Sequence, residues 1–288
     1  MVSFNRSSGL NPLQPSILKP LLLYLVLTAL AAVMLLPLLW LVSTALKSPS
    51  ENIFAFPPQL LPQQPTLENF QRVWSIEPLF GRYFLNSTIV AGLTVLFNVV
   101  FCSLAAYPLA RLTFPGRNLI FSLIVATIMI PFQIVMIPLY ILVFRLGLLN
   151  TYWGMILPSL ASAFGIFLMR QAFQGVPKEL EEAARMDGCS ELGIWWHVML
   201  PAVRPATITL ALFVFIGAWG DFLWPLIVLR DQEMYTLPLG VATLASSLSR
   251  DERLVAAGSV LSILPIVLVF VGLQRYILPT QSGSGLKG

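Results

Sequence analysis

Apolar residues in this chain come in long blocks, and polar residues come as punctuation between them. Six blocks reach or approach the roughly 20 helical residues needed to cross a hydrocarbon core about 30 Å thick. They run over residues 20–46, 84–109, 119–144, 152–169, 206–229 and 255–277. A backbone in lipid must satisfy its own hydrogen bonds, which leaves helices or closed barrels. A barrel would show segments of about ten residues with alternating polarity, and this sequence has none. The pattern predicts an all-α integral membrane protein with six transmembrane helices.

The segments between the blocks differ in kind. Residues 47–81 hold Pro49, Pro57, Pro58, Pro62 and Pro65, which predicts an extended, turn-rich loop with one short helix around 67–74. Residues 231–253 mix charges and serines and read as a solvated connector, and both segments are candidates to meet something outside the membrane. The domain boundaries expected are 1–46 (N-terminal segment and first span), 47–81 (extracytoplasmic loop), 82–278 (five-helix core) and 279–288 (C-terminal tail). A polar loop at 170–205 falls inside the core.

That loop is the most distinctive stretch of the chain. Only 10% of the residues are charged, yet five acids lie between Glu179 and Glu191. Pro177 suits a first helical turn, and Glu179, Glu181 and Glu182 place negative charge where the helix dipole favours it. Glu181 and Arg185 are spaced i,i+4 in the favourable order, and Gly188 provides the stop. Ser190 is placed to cap a second helix carrying Leu192, Ile194, Trp195, Trp196 and Met199, with Pro201 and Pro205 turning the chain into the fifth block. Leu180, Ala183 and Ala184 form a small apolar face. A helix lying on a membrane surface would carry bulky apolar residues and lysines; Glu-Glu-Ala-Ala is the reverse and favours docking to a soluble partner.

Several polar residues fall inside the blocks. Pro131 and Pro138 interrupt the third, where freed carbonyls must find partners. Asn86, Asn98 and Gln133 are amides expected to face the bundle, more often as interhelical contacts than as substrate ligands. Asp221, between Trp219 and Trp224, weighs evenly as a pathway residue or a structural one, and the tryptophans fit an interfacial belt equally well. These six are the candidate translocation-pathway residues.

Composition supports the membrane reading and removes other classes. Apolar residues make up 57% of the 288, against about 45–50% for soluble domains, and mean hydropathy is +0.82. The formal charge of +4 is spread rather than patched, so nucleic acid is not an expected partner. Cys102 and Cys189 indicate neither a disulfide frame nor a metal site. His197 is the only histidine, no Walker-type phosphate loop occurs, and no paired carboxylate, Ser/His/Asp or Cys/His arrangement can be assembled within one loop. The expectation is a transport protein that is not itself an enzyme and holds no cofactor. With the N-terminus inside, ten of the 17 lysines and arginines fall on the inner side, which predicts cytoplasmic termini.

Glu182-Ala183-Ala184, Asp187-Gly188, Val198 and Leu200-Pro201 resemble the EAA loop of ATP-binding-cassette (ABC) importer permeases. Pro65-Thr66-Leu67-Glu68-Asn69-Phe70 with Tyr83-Phe84-Leu85-Asn86-Ser87, then Asp221-Phe222-Leu223-Trp224-Pro225-Leu226, then Gln274-Arg275-Tyr276 with a terminal Leu286-Lys287-Gly288, are similar to the maltose-type carbohydrate permeases. The chain departs from the pattern at Val198 (isoleucine is commonest), Cys189 (alanine is usual) and Gly220 (often asparagine). The resemblance implies a MetI-like permease bundle in the inner membrane, paired with a second homologous permease. It implies two ABC ATPase subunits that bind the ATP and an extracytoplasmic solute-binding protein that delivers a sugar or sugar-like solute. It assigns contact with the ATPase to Glu182, Ala183, Ala184, Asp187, Gly188, Leu200 and Pro201, and contact with the binding protein to the segment around 231–253. An ion-driven transporter would need ionisable relays and internal repeats, but Asp221 is the only acid in a span and no clear repeat is visible. An intramembrane enzyme would need clustered catalytic groups, and a scaffold would not need prolines and amides in its spans.

Overall fold

The computed structural model describes residues 18–246 and 251–277. The segment before residue 18, the positions 247–250 of the 231–253 segment and the tail 279–288 with Leu286-Lys287-Gly288 lie outside the described residues. Among those described, every regular element is helical.

Helix α1 (Leu18–Leu46) is followed by the short α2 (Glu68–Ile76) and the long α3 (Phe80–Arg111). Next come α4 (Arg117–Ala126), α5 (Phe132–Arg145), α6 (Tyr152–Ile156) and α7 (Ala163–Gln174). The polar loop forms α8 (Lys178–Met186) and α9 (Glu191–Ile194), then a π turn over Trp195–Met199 and the single turn α10 (Leu200–Ala202). The described residues end with α11 (Arg204–Gly220), α12 (Leu223–Val228), α13 (Leu237–Ser246) and α14 (Glu252–Ile277).

Three of these helices are each long and apolar enough to cross a bilayer: Pro20–Leu46, Phe80–Arg111 and Glu252–Tyr276. The third and fourth predicted spans are not single helices. Arg117–Met129 meets Phe132–Arg145 at 101°, and Tyr152–Ser159 meets Ala163–Gln174 at 47°. At the first break Ile130 and Pro131 are both extended; a proline disfavours helical geometry in the residue before it and lacks the N–H to bridge the turn. At the second, Ser162 is extended and caps α7 by accepting from Gly165 N at 3.0 Å. The fifth predicted span also ends early, at Gly220, and restarts as α12. Each break keeps the composition of a span, which is why hydrophobicity alone reads straight through it.

α3 is the central post, packed against α7, α11 and α13. Its buried stripe runs through Asn86, Val90, Thr94, Asn98, Cys102, Ala106 and Tyr107. Small and polar residues at three- to four-residue spacing let neighbouring backbones come close, as between helices in lipid. α1 stands apart: it packs on α14 and touches α2, and from Leu21 to Leu39 its large apolar side chains are exposed all round. Such a surface suits a helix whose solvent is lipid.

The opposite ends of the bundle are built differently. At the end carrying α2 and α13, the loop 47–67 is pinned by charge and amide contacts. Glu51 accepts backbone N–H groups from Gln63 and Gln64 at 3.0 Å each, and buried Lys47 donates to Gln59 O at 2.7 Å. Asn69 Nδ2 reaches Ala45 O at 2.9 Å and Lys47 O at 2.8 Å. Arg72 pairs with Asp251 at 3.1 Å, and Arg253 bonds the Glu51 carbonyl. The short helix expected at 67–74 is α2. The 231–253 segment, read from the sequence as a solvated connector, instead buries Leu237, Leu239, Val241 and Leu244 through α13. Its Gly240 lies against the Tyr83 ring, where a β carbon would fall 2.1 Å from Cδ2.

Candidate functional site

The other end of the bundle carries the acidic loop. α8 starts from Pro177 and ends in a Schellman arrangement: Cys189 N donates to Ala184 O and Gly188 N to Arg185 O, both at 3.0 Å. Gly188 occupies the left-handed region at φ +82°, which glycine adopts without a Cβ penalty. Ser190 accepts from Gly193 N at 3.2 Å and so caps α9. The next turn is π-helical, and an 84° bend between Glu191–Ala202 and Arg204–Gly220 returns the chain to the bundle. Pro201 and Pro205 flank that bend.

The two faces of this unit are chemically distinct. Ala184, Ile194, Trp195 and Met199 join Tyr107, Met169, Phe173 and Leu210 in one buried cluster. Ala184 therefore belongs to the inner face, not to the outer apolar surface expected from its neighbours Leu180 and Ala183. The outward side shows Glu182, Ala183, Asp187, Gly188 and Pro201. Among them stand large apolar groups: Leu180 is 50% exposed, Met186 85%, Leu192 68% and Trp196 55%. Large apolar groups left exposed beside carboxylates are a feature of interaction surfaces. Leu200 is half-buried behind it.

A polar network that the sequence reading saw only in part ties the unit to the bundle. Glu181 is 4% exposed, and its Oε1 accepts from Arg185 Nη2 at 2.8 Å, the expected i,i+4 pair. Its Oε2 lies 3.5 Å from Arg111 Nε. That contact is a charge pair rather than an aligned hydrogen bond, and Arg111 Nε has no hydrogen-bond partner. Arg111 also bonds the Val176 carbonyl. Tyr107 Oη donates to Glu191 Oε2 at 2.6 Å and approaches Glu181 Oε1 at 3.4 Å, while Arg185 Nε donates to Glu191 Oε1 at 3.0 Å. Arg185 and Tyr107 hold the Glu191 carboxyl below the usual carboxylate range. Tyr107 and Arg111 share an i,i+4 face at the end of α3, and that spacing was the available signal. Nothing local to it names partners some 70 residues away in the chain.

The six candidate pathway residues lie in different settings. Asn86 Nδ2 donates to Glu233 O at 2.8 Å and Tyr235 O at 2.9 Å, and Tyr152 Oη donates to its Oδ1 at 2.7 Å. Asn98 Nδ2 donates to Ser159 O at 2.9 Å, and Cys102 Sγ reaches Asn98 Oδ1 at 3.2 Å. Trp219 Nε1 donates to Ser262 O at 2.9 Å, and Trp224 Nε1 to Gly154 O at 3.1 Å. These four side chains are buried and join one helix to another. Gln133 is exposed just after the Pro131 break. Asp221 is half-buried at the α11–α12 break, where its Oδ1 accepts from Trp224 N at 3.3 Å and caps the short helix. Among the described residues, no group of three or more His, Cys, Asp or Glu is gathered as a metal site.

A family model described as the binding-protein-dependent transport system inner membrane component matches residues 98–282. The arabinooligosaccharides transport system permease protein AraQ of Halalkalibacterium halodurans is 40% identical over 227 residues, covering 79% of this chain and 81% of the relative. The diacetylchitobiose uptake system permease protein NgcG of Streptomyces coelicolor is 34% identical over 256 residues, covering 88% and 84%. A crystal structure of a bacterial ABC transporter involved in import of the acidic polysaccharide alginate contains a chain that superposes with a TM-score of 0.81. That chain is 26% identical, and the match covers 93% of this chain and all of that one.

Proposed function

The chain belongs to the family of inner membrane components of binding-protein-dependent transport systems, and from that premise we propose that it is the sugar-translocating permease of an ABC importer, driven through α8 by a separate ATPase. The observation that carries the coupling role is the exposed surface of α8, α9 and the π turn, which offers Leu180, Met186, Leu192 and Trp196 to solvent alongside the exposed carboxylates of Glu182 and Asp187. Glu182, Ala183, Asp187, Gly188 and Pro201 stand on that face and are the contact residues of this reading; Ala184 and Leu200 support it from behind. ATP is bound and hydrolysed by two partner ATPase subunits, and this chain contributes no nucleotide site.

The same reading orients the molecule. The end with α8 faces the cytoplasm together with both termini. The end with α2 and α13 faces outward, where a solute-binding protein presents its sugar. A second, homologous permease completes the pathway. The carbohydrate carried is an oligosaccharide or a related glycoside, the class of solute for which the arabinooligosaccharide and diacetylchitobiose relatives are named. Energy enters as a population shift: ATP binding favours one conformation of the paired bundles because the ATPases dock differently to each.

The test is co-purification. Gly188→Asp or Glu182→Lys is expected to insert normally and to lose the ATPase during solubilisation and affinity capture, with ATP-dependent uptake falling in parallel. A normal complex recovered from both variants would overturn the assignment of α8.

A further inference from the structure

The docking helix has little backbone contact with the spans it is supposed to move. α8 packs against the π turn and α9. It reaches α3 through long side chains, and the reaching is done by ionic and hydroxyl groups that are mostly out of water. Glu181 and Arg111 each leave only 5% of the side chain exposed. A buried pair of this kind stabilises weakly against an apolar substitute, yet it punishes any geometry in which one charge is left alone. That makes it a poor adhesive and a good position sensor. Glu181 is held from two directions, by Arg111 on α3 and by Arg185 one turn along α8. Tyr107 reaches the second helix of the unit through Glu191. Arg111 also holds the Val176 carbonyl, immediately before α8. The start of α8, its middle and the start of α9 are therefore each fixed to the last turn of α3. α3 in turn packs on α7, α11 and α13, the last of these at the far end of the bundle.

We propose that Tyr107, Arg111, Glu181 and Glu191 are positioning residues that make α8 and α9 a rigid extension of α3, so that displacement of the docking surface is delivered to the central post of the bundle. This rests on the docking role proposed for α8, and its content is which residues carry the motion onward. None of the four lies on the outward contact face apart from Glu191, whose carboxylate is turned to Tyr107 and Arg185. Weakening the link should therefore leave ATPase attachment in place while disconnecting it from the spans.

The experiment uses the full complex of this chain with its partner permease and two ATPases, reconstituted in lipid nanodiscs. Exposed Lys178→Cys on α8 and Thr113→Cys beyond α3 carry spin labels, in a Cys189→Ser background that removes the exposed native thiol. ATP with vanadate is the probe. With the network intact, the Lys178–Thr113 distance is expected to be single and unchanged by nucleotide. Glu181→Gln, which keeps the shape and removes the charge, and Tyr107→Phe are each expected to retain the ATPase on capture but to give a broadened distance that shifts when ATP and vanadate are added. Three results would overturn the proposal. One is an intact-network distance that itself moves on nucleotide by as much as a helical turn, roughly 5 Å. Another is a distance that stays narrow and unresponsive in both variants. The third is loss of the ATPase from both variants, which would make these residues necessary to form the docking surface rather than to tie it. Failure of the docking reading itself is separately visible, because Gly188→Asp would then leave capture unchanged.

Discussion

Gly240 shows how one hydrogen atom can be a structural requirement. A β carbon there would sit 2.1 Å from Tyr83 Cδ2 and 2.5 Å from Cε2, and the ring is fully buried, with no room to retreat. Gly240→Ala is expected to cost about 1–3 kcal/mol through overpacking, read as a lower midpoint of thermal unfolding in detergent. Asp221 makes a different residue-scale case. Its carboxylate caps α12 through Trp224 N, and an amide oxygen can accept the same bond. Asp221→Asn should therefore assemble normally while lowering uptake if the charge serves the pathway; unchanged uptake would make the residue a cap and nothing more. Gly240 lies in the 231–253 segment, whose composition gives no sign of the buried ring it meets, while for Asp221 the sequence balanced a pathway role against a structural one. The exception is Gly188, whose stop role followed from the motif alone and whose φ of +82° states the physical reason.

At the scale of elements, the broken spans are the main departure from a simple six-rod picture. The 101° bend at Pro131 sets Gln133 at the start of α5. Replacing Pro131 with alanine restores an N–H and lifts the restriction on Ile130, so the two halves gain a route to one continuous helix. We expect Pro131→Ala to assemble with its partners but to lose most uptake, and spin labels on α4 and α5 to report a longer separation. An unchanged separation would show that packing, rather than proline, enforces the bend. Apolar length and proline position were both visible in the sequence. The angle was not, because it depends on how α4 and α7 pack, through pairs such as Phe121 stacked on Phe167 at 6.2 Å. α13 was missed for a related reason. Its Leu237, Val241 and Leu244 are buried by α3 and α14, elements distant in sequence, while its own flanks carry the serines and charges of a loop.

At the scale of the whole molecule, the two ends of the bundle share a sensitivity to acid. Glu51 is held below the usual carboxylate range chiefly by backbone N–H groups of Gln63 and Gln64, and Glu191 by Arg185 and Tyr107. A carboxylate whose folded value is depressed gives stability that is complete above its unfolded value, about 4.3 for glutamate, and is lost as pH falls through the folded value. Limited proteolysis should therefore be flat from neutral pH down to about 5, with new cuts in the 47–67 loop and between α8 and α9 only below that. Glu51→Gln should expose the loop at neutral pH. The architecture behind this was half legible. Spans and loops follow from hydrophobic length, but the contacts that fasten the loops, such as Arg72 to Asp251 or Tyr107 to Glu191, join residues that no local pattern connects.

The position of α1 has a consequence for how the chain is made. Its main partner, α14, is the last of the described helices in chain order, so α1 must wait in the bilayer while the described elements between them are synthesised. It is equipped to wait, because leucine and valine side chains cover all its sides and lipid solvates it as well as protein would. The central post then has time to gather α7 and α11 before α14 arrives and fastens α1 from the side.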